Sequence, residues 1–209
     1  MALVHLITGD MLVQGNLDVT GTSPAKARTD LTQEDNARFP IPLDRWRVWD
    51  AMATNLPGTS ATDDLGFIGG TFATASPSIQ TSDLKAAGSI TRYARVTFKL
   101  PHSYVAGQSV TIRAHAGMKT TVADVAATID FEAYRSNDET GIGSDLVSTA
   151  ATTINSLTLA NKDFVLSAGT LLPGDTLDIR MTVLVNDAAT VTSVIGLVGG
   201  VEVLVDVKG

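Results

Sequence analysis

The sequence predicts an all-β protein, an antiparallel β-sandwich of jelly-roll type preceded by a short N-terminal β arm. Three observations carry this. The apolar 44% of the 209 residues is mostly Val, Ala, Ile and Leu, with abundant Thr, 18 glycines and only 5% aromatics. Val, Ile and Thr have restricted χ1 freedom and pack well on a pleated, half-buried surface. Several segments alternate strictly between apolar and polar residues, and Gly, Pro, Asn and Asp clusters punctuate them.

The alternating segments come in order. From Arg92 to Leu100, Ala94, Val96, Phe98 and Leu100 oppose Tyr93, Arg95, Thr97 and Lys99. Val110, Ile112, Ala114 and Ala116 oppose Ser109, Thr111, Arg113 and His115. Ala127, Ile129, Phe131 and Ala133 oppose Thr128, Asp130, Glu132 and Tyr134. Leu177, Ile179, Met181, Val183 and Val185 oppose Asp178, Arg180 and Thr182, and Val201, Val203, Val205 and Val207 oppose Glu202, Asp206 and Lys208. One buried face and one wet face is the antiparallel signature. Pro101 to Gly107, Ser136 to Gly141 and Pro173-Gly174-Asp175 supply turns, and residues 41–209 have room for roughly eight strands of one sandwich.

The first residues differ. Gly9, Gly15 and Gly21 recur every six residues, followed by Asp10 and Asn16 at the first two, with Val13 and Val19 in matching places. Residues 1–22 thus read as a repeat arm too small to hold a core alone. Either it is an intersubunit stem or it folds as a hairpin on its own sandwich. Leu6, Met11, Val13, Leu17 and Val19 are its candidate interface side chains. Residues 23–40 read as a linker. Within it, Thr29 to Asp35 suits a short helical turn, and the prolines of Phe39-Pro40-Ile41-Pro42 enforce extension. Asp44 to Asp50 reads as a strand with a tryptophan on each face, so Trp46 and Trp49 join the candidate subunit or capsid interface. The alternative is one core Trp and one beneath a loop.

Charge and composition exclude several functions. A net charge of -7 has the wrong sign for nonspecific nucleic-acid binding. No apolar run reaches the length of a membrane helix; Val191 to Val207 is broken by Thr192, Ser193, three glycines, Glu202 and Asp206. With no cysteine, disulfides, thiolate zinc sites and cysteine nucleophiles are excluded. The opening Ala2-Leu3-Val4-His5 lacks a preceding basic segment, and no Asn-x-Ser/Thr sequon occurs, which predicts a chain outside the secretory pathway. His5, His102 and His115 share no ligand spacing, no phosphate-cradling or nucleophile-elbow motif is present, and no enzyme activity or cofactor is expected. Asp63-Asp64, and Asp138-Glu139 with Asp145, read as turn residues in preference to calcium ligands.

The stretch Gly15-Asn16-Leu17-Asp18-Val19-Thr20-Gly21 resembles the G-x-L-x-V-x-G openings of tailed-phage fibre and appendage proteins. Pro40 to Asp50, Thr54 to Gly66 and Ala75 to Thr81 are similar to proteins encoded by environmental tailed phages. The resemblance implies a structural protein of the virion, made in the host cytoplasm. Its foremost reading is a homotrimeric decoration or cement protein binding the major capsid protein, or another virion protein, through its N-terminal arm. The alternative is a tail fibre that recognises host glycan through loop aromatics, of which Tyr104 and Phe72 are the most loop-like. Neither reading involves nucleic acid or membrane.

Overall fold

The computed structural model describes residues 37–137, 142–188 and 191–208. The arm of residues 1–22, with Leu6, Met11, Val13, Leu17 and Val19, and the helical turn proposed at Thr29 to Asp35, lie outside the described residues.

Among the described residues ten strands form, namely β1 (Ala37–Ile41), β2 (Gly66–Ile68), β3 (Ser78–Gln80), β4 (Gly88–Lys99), β5 (Val110–Met118), β6 (Ala126–Arg135), β7 (Thr152–Thr153), β8 (Ala160–Val165), β9 (Thr176–Asp187) and β10 (Gly196–Val205). All pairings between these strands are antiparallel. One sheet runs β2-β3-β10-β5-β8, with β1 also on β10; the other runs β4-β9-β6-β7. From β4 to β6 and again from β7 to β10 the chain switches sheet at every step, and β6 and β7 are neighbours within one. This is jelly-roll connectivity, with β9 and β10, the last strands made, in the interior of the two sheets.

The alternation sets which side chains meet between the layers. Ala94, Val96, Ile129, Phe131, Ala133, Ile179, Met181 and Val183 of one sheet are buried against Ile112, Ala114, Phe164, Val201 and Val203 of the other. Phe131 and Phe164 bridge the layers with ring centroids 4.9 Å apart. Removing each large side chain from water stabilises the fold by roughly 1.5–3 kcal/mol.

Two expectations need correction. Residues 37–40, assigned to a linker, belong to β1, because extension enforced by Pro40 and Pro42 also suits pairing with β10. Asp44 to Asp50 is not a strand. Leu43–Arg45 is a 3-10 turn, and beyond it only Arg47 makes ladder contacts, with Arg95 and Asn55. The alternation nevertheless persists: Trp46 and Val48 are buried while Arg47 and Trp49 are half-exposed.

Turn chemistry matches the sequence. Gly174 has φ +85°, a conformation costly for other residues. The loop after β6 is tied to this turn by Asn137, whose Nδ2 donates to Asp175 Oδ1 at 2.8 Å while its Oδ1 accepts from Thr176 N at 2.9 Å.

The outer edge of β4 is covered where it matters for the site. Arg47 N donates to Arg95 O at 2.8 Å and Arg95 N to Arg47 O at 3.0 Å. Two residues away, Tyr93 N donates to Asp63 O and Leu65 N to Tyr93 O, both at 2.8 Å. These bonds satisfy an edge that would otherwise template foreign strands, and they lay residues 47–50 and 63–65 along β4. Among the described residues no helix is long and apolar enough to cross a membrane.

Candidate functional site: an aromatic and ionic cleft

The outward side chains of β4, β9 and β6 form a grid. Register places Tyr93, Thr182 and Asp130 in one row, Arg95, Arg180 and Glu132 in the next, and Thr97, Asp178 and Tyr134 in the third. Trp49 comes in from the covering segment beside β4, and Ile142 from the far side. Together with Asp50 they border an open cleft of about 290 Å³, just below the roughly 300–1,000 Å³ of small-molecule sites.

Trp49 is fixed at both ends. Its Nε1 donates to Asp63 Oδ2 at 3.0 Å, and its ring lies 5.2 Å from that of Tyr93, tilted by 51°. The Arg180 guanidinium sits 5.6 Å from the Trp49 centroid and 5.2 Å from the Tyr93 centroid, within cation–π range. Arg180 also pairs with Glu132, and its Nε is buried without a hydrogen-bond partner. Arg95 grips Asp178 with two donors, Nε to Oδ1 at 2.7 Å and Nη2 to Oδ2. That pair raises the Arg95 pKa further above its ordinary value.

Burial governs the other titrations on this face. Desolvation raises the Asp130 carboxyl, and Glu132 and Asp145 add to it. Desolvation likewise raises the Tyr134 phenol, with Glu132 next in effect. Beneath Trp49, burial raises Asp64, and Asp63 and Asp50 reinforce the shift.

The cleft therefore has apolar, flat walls and a floor of planar polar groups fixed by their neighbours. Its two arginines are engaged by Asp178 and Glu132, and Asp50 lies at its border. Such a surface can stack on an apolar face and give and take hydrogen bonds at that face's rim; this is preorganised binding. Among the described residues no group of three His, Asp or Glu side chains is placed to hold a metal.

The structure redistributes the residues singled out from sequence. Trp46 is 1% exposed and packs on Phe131 at 6.4 Å between centroids, so its indole belongs to the core of its own sandwich and not to an interface. Trp49 is half-exposed. Tyr104 is not a loop-tip aromatic: it is fully buried and donates its hydroxyl to Gln108 O at 2.6 Å. Phe72 is 98% exposed. Asp63 serves Trp49, and Asp145 Oδ1 accepts from Ala133 N at 2.9 Å and Val147 N at 3.0 Å; Asp138 and Glu139 lie outside the described residues. The cluster of Tyr93, Arg95, Glu132, Asp178 and Arg180 was not singled out from sequence. Alternation marks each as outward, but nothing local pairs β4 with β9, 83 residues apart at the Arg95–Asp178 bond.

No family model matches the chain, and no curated protein matches it. Among solved structures it is similar to the CBM22-1 xylan-binding domain of Paenibacillus barcinonensis Xyn10C, at 13% identity over 70% of this chain and 82% of that one, with a TM-score of 0.37. The CBM22-1–GH10 modules of a Clostridium thermocellum xylanase complexed with xylohexaose give 11% identity, 84% of this chain but 28% of that one, and a TM-score of 0.43. A cleaved adhesin domain of Lys-gingipain from Porphyromonas gingivalis gives 16%, 80% and 94%, with a TM-score of 0.33. At these values the likeness does not bear on what the chain binds.

Proposed function

We propose that the chain is a non-enzymatic attachment module of a phage virion that binds a neutral glycan in the Trp49 cleft. The single observation behind the glycan is the pairing of Trp49 with a floor of ion-paired polar groups. A sugar ring presents an apolar C–H face and a rim of hydroxyls that both donate and accept, and this cleft offers a partner to each. The lining carries two arginines against Asp50, Glu132 and Asp178, an excess of one negative charge that disfavours acidic sugars. Binding without turnover is the reading in keeping with Glu132 and Asp178, each held by an arginine. The virion setting rests on the sequence resemblance.

The decoration reading, a homotrimer on the capsid, draws on the repeat of residues 1–22. The glycan reading draws on described side chains, and the geometry supports it better. The full chain, probed on an array of neutral and acidic glycans beside its Trp49→Ala variant, tests it. Selective retention of neutral glycans, lost in the variant, is expected. Equal retention by the variant overturns the reading. Copy number in the virion separates the two settings: a few for a fibre, hundreds for decoration.

A further inference from the structure

The other sheet carries a second recess on its outer face. One edge of β10 is bordered by two strands laid end to end, β3 against Leu197 and Val198 and β1 from Val201 to Val205. On the opposite edge the ladder to β5 shifts register between Val198 and Gly200. Val201 and Val203 turn inward, so Gly200 and Glu202 turn outward. A Cβ built on Gly200 would meet nothing within 4 Å. The result is an opening of about 280 Å³ over main chain, walled by Pro40, Arg113, His115, Asn161 and Glu202. Glycine inside a strand marks a bulge, as the register shift does here, and also leaves room for a ligand to approach the backbone.

The walls alternate in hydrogen-bonding character. Arg113 spends Nε and Nη2 on Asp163, at 2.6 and 2.7 Å. Its Nη1 lies 3.9 Å from Glu202 Oε1, too far for a hydrogen bond. A donor and an acceptor thus stand side by side with capacity left over. His115 Nδ1 lies 3.0 Å from Asn161 Oδ1. Oδ1 only accepts, so Nδ1 carries the proton in this contact, which leaves the Asn161 amide as a second donor and His115 Nε2 as a second acceptor in the neutral ring. An anion would meet Glu202 and a cation would meet Arg113. Hydroxyl groups, each giving and accepting, match the alternation.

We infer that this recess is a second saccharide site, on the sheet opposite the Trp49 cleft, taking the hydroxyl edge of a neutral sugar ring over Gly200 with Pro40 against its C–H face. It is independent of the first cleft in residues and in sheet. A module with both sites bridges two glycan strands.

The test is an NMR titration of the full chain with xylohexaose, cellohexaose and maltohexaose at millimolar concentration, following the Gly200 amide and the His115 ring. At least one sugar is expected to shift both. Gly200→Val sets its Cβ in open space and its methyls in the opening, so the variant, checked as folded by its melting temperature, abolishes the shifts at His115 and at the amide of residue 200; Asn161→Ala weakens them. Trp49→Ala leaves them in place, and that outcome holds even if the Trp49 cleft proves inert. Silence at Gly200 and His115 with all three sugars, shifts that survive Gly200→Val, or shifts that vanish in Trp49→Ala each overturn the second site.

Discussion

Arg95 on β4 stands directly opposite Arg180 on β9, one cation facing another in adjacent strands. Like charges in that position destabilise a sheet. Here each is answered by a carboxylate, Asp178 for Arg95 and Glu132 for Arg180, so the floor of the Trp49 cleft is two neighbouring ion pairs held by the sheet register.

Removing one carboxylate should therefore expose both the bare cation and the repulsion. The Asp178 side chain is 8% exposed and that of Arg95 33%, between the surface and buried limits. Asp178→Asn is expected to lower stability by about 1–3 kcal/mol, read as a lower urea midpoint at unchanged slope. A midpoint equal to that of the parent contradicts this.

The two tryptophans separate stability from binding. Trp46→Ala empties a core position that is 1% exposed and should cost about 3–5 kcal/mol, a large part of the roughly 5–15 kcal/mol of a domain. Trp49→Ala removes a half-exposed ring, so its stability cost should be well below that of Trp46→Ala while glycan retention falls at least about tenfold. Denaturation curves and binding isotherms on the two variants check both halves.

Glycines make the same kind of contrast. A Cβ on Gly66 would lie 2.3 Å from the backbone N of Ser60. Gly66→Ala must then push main chain apart, at about 1–3 kcal/mol. Gly200→Ala meets open space and should leave the midpoint unchanged. Equal effects at both positions would contradict the packing around β2.

Acid titration should show two carboxylates of opposite sign. The Arg113 guanidinium holds the Asp163 carboxyl below its usual range. Its contribution to stability is complete above the ordinary aspartate pKa and is lost as pH falls through that value towards the depressed one. Asp130 is raised by burial, so its ionised form opposes folding above the raised pKa, and the penalty lifts as pH falls. Asp163→Asn should flatten the acid loss, whereas Asp130→Asn should stabilise at pH 7 and lose that advantage in acid. Urea midpoints from pH 7 down to 3 decide each sign.

Much of the sandwich was legible because five long strands alternate strictly. Ala94, Ile112, Phe131, Met181 and Val203 fall on the buried face that the period assigns them. Asp44 to Asp50 misled because alternation reports which side chains face in, not whether the backbone is laddered; β4 offers it one residue, Arg95, and no continuous partner. Tyr104 misled because a loop residue three positions after Pro101 can still turn its ring into the core once its hydroxyl finds Gln108 O. The cleft was half legible. Tyr93, Arg95, Asp178, Arg180, Glu132 and Tyr134 each stood out as outward, but the register that joins them is set by pairing between strands distant in sequence.

The most direct test of the Trp49 cleft uses the chain's two tryptophans as separate reporters. Each gives one indole N–H resonance, assigned by single substitution. Titration with neutral glycans should move the Trp49 resonance, whose N–H bonds to Asp63 at the cleft wall, and leave that of the buried Trp46 in place. A panel of neutral glycans that moves neither resonance, or moves both equally, contradicts the account.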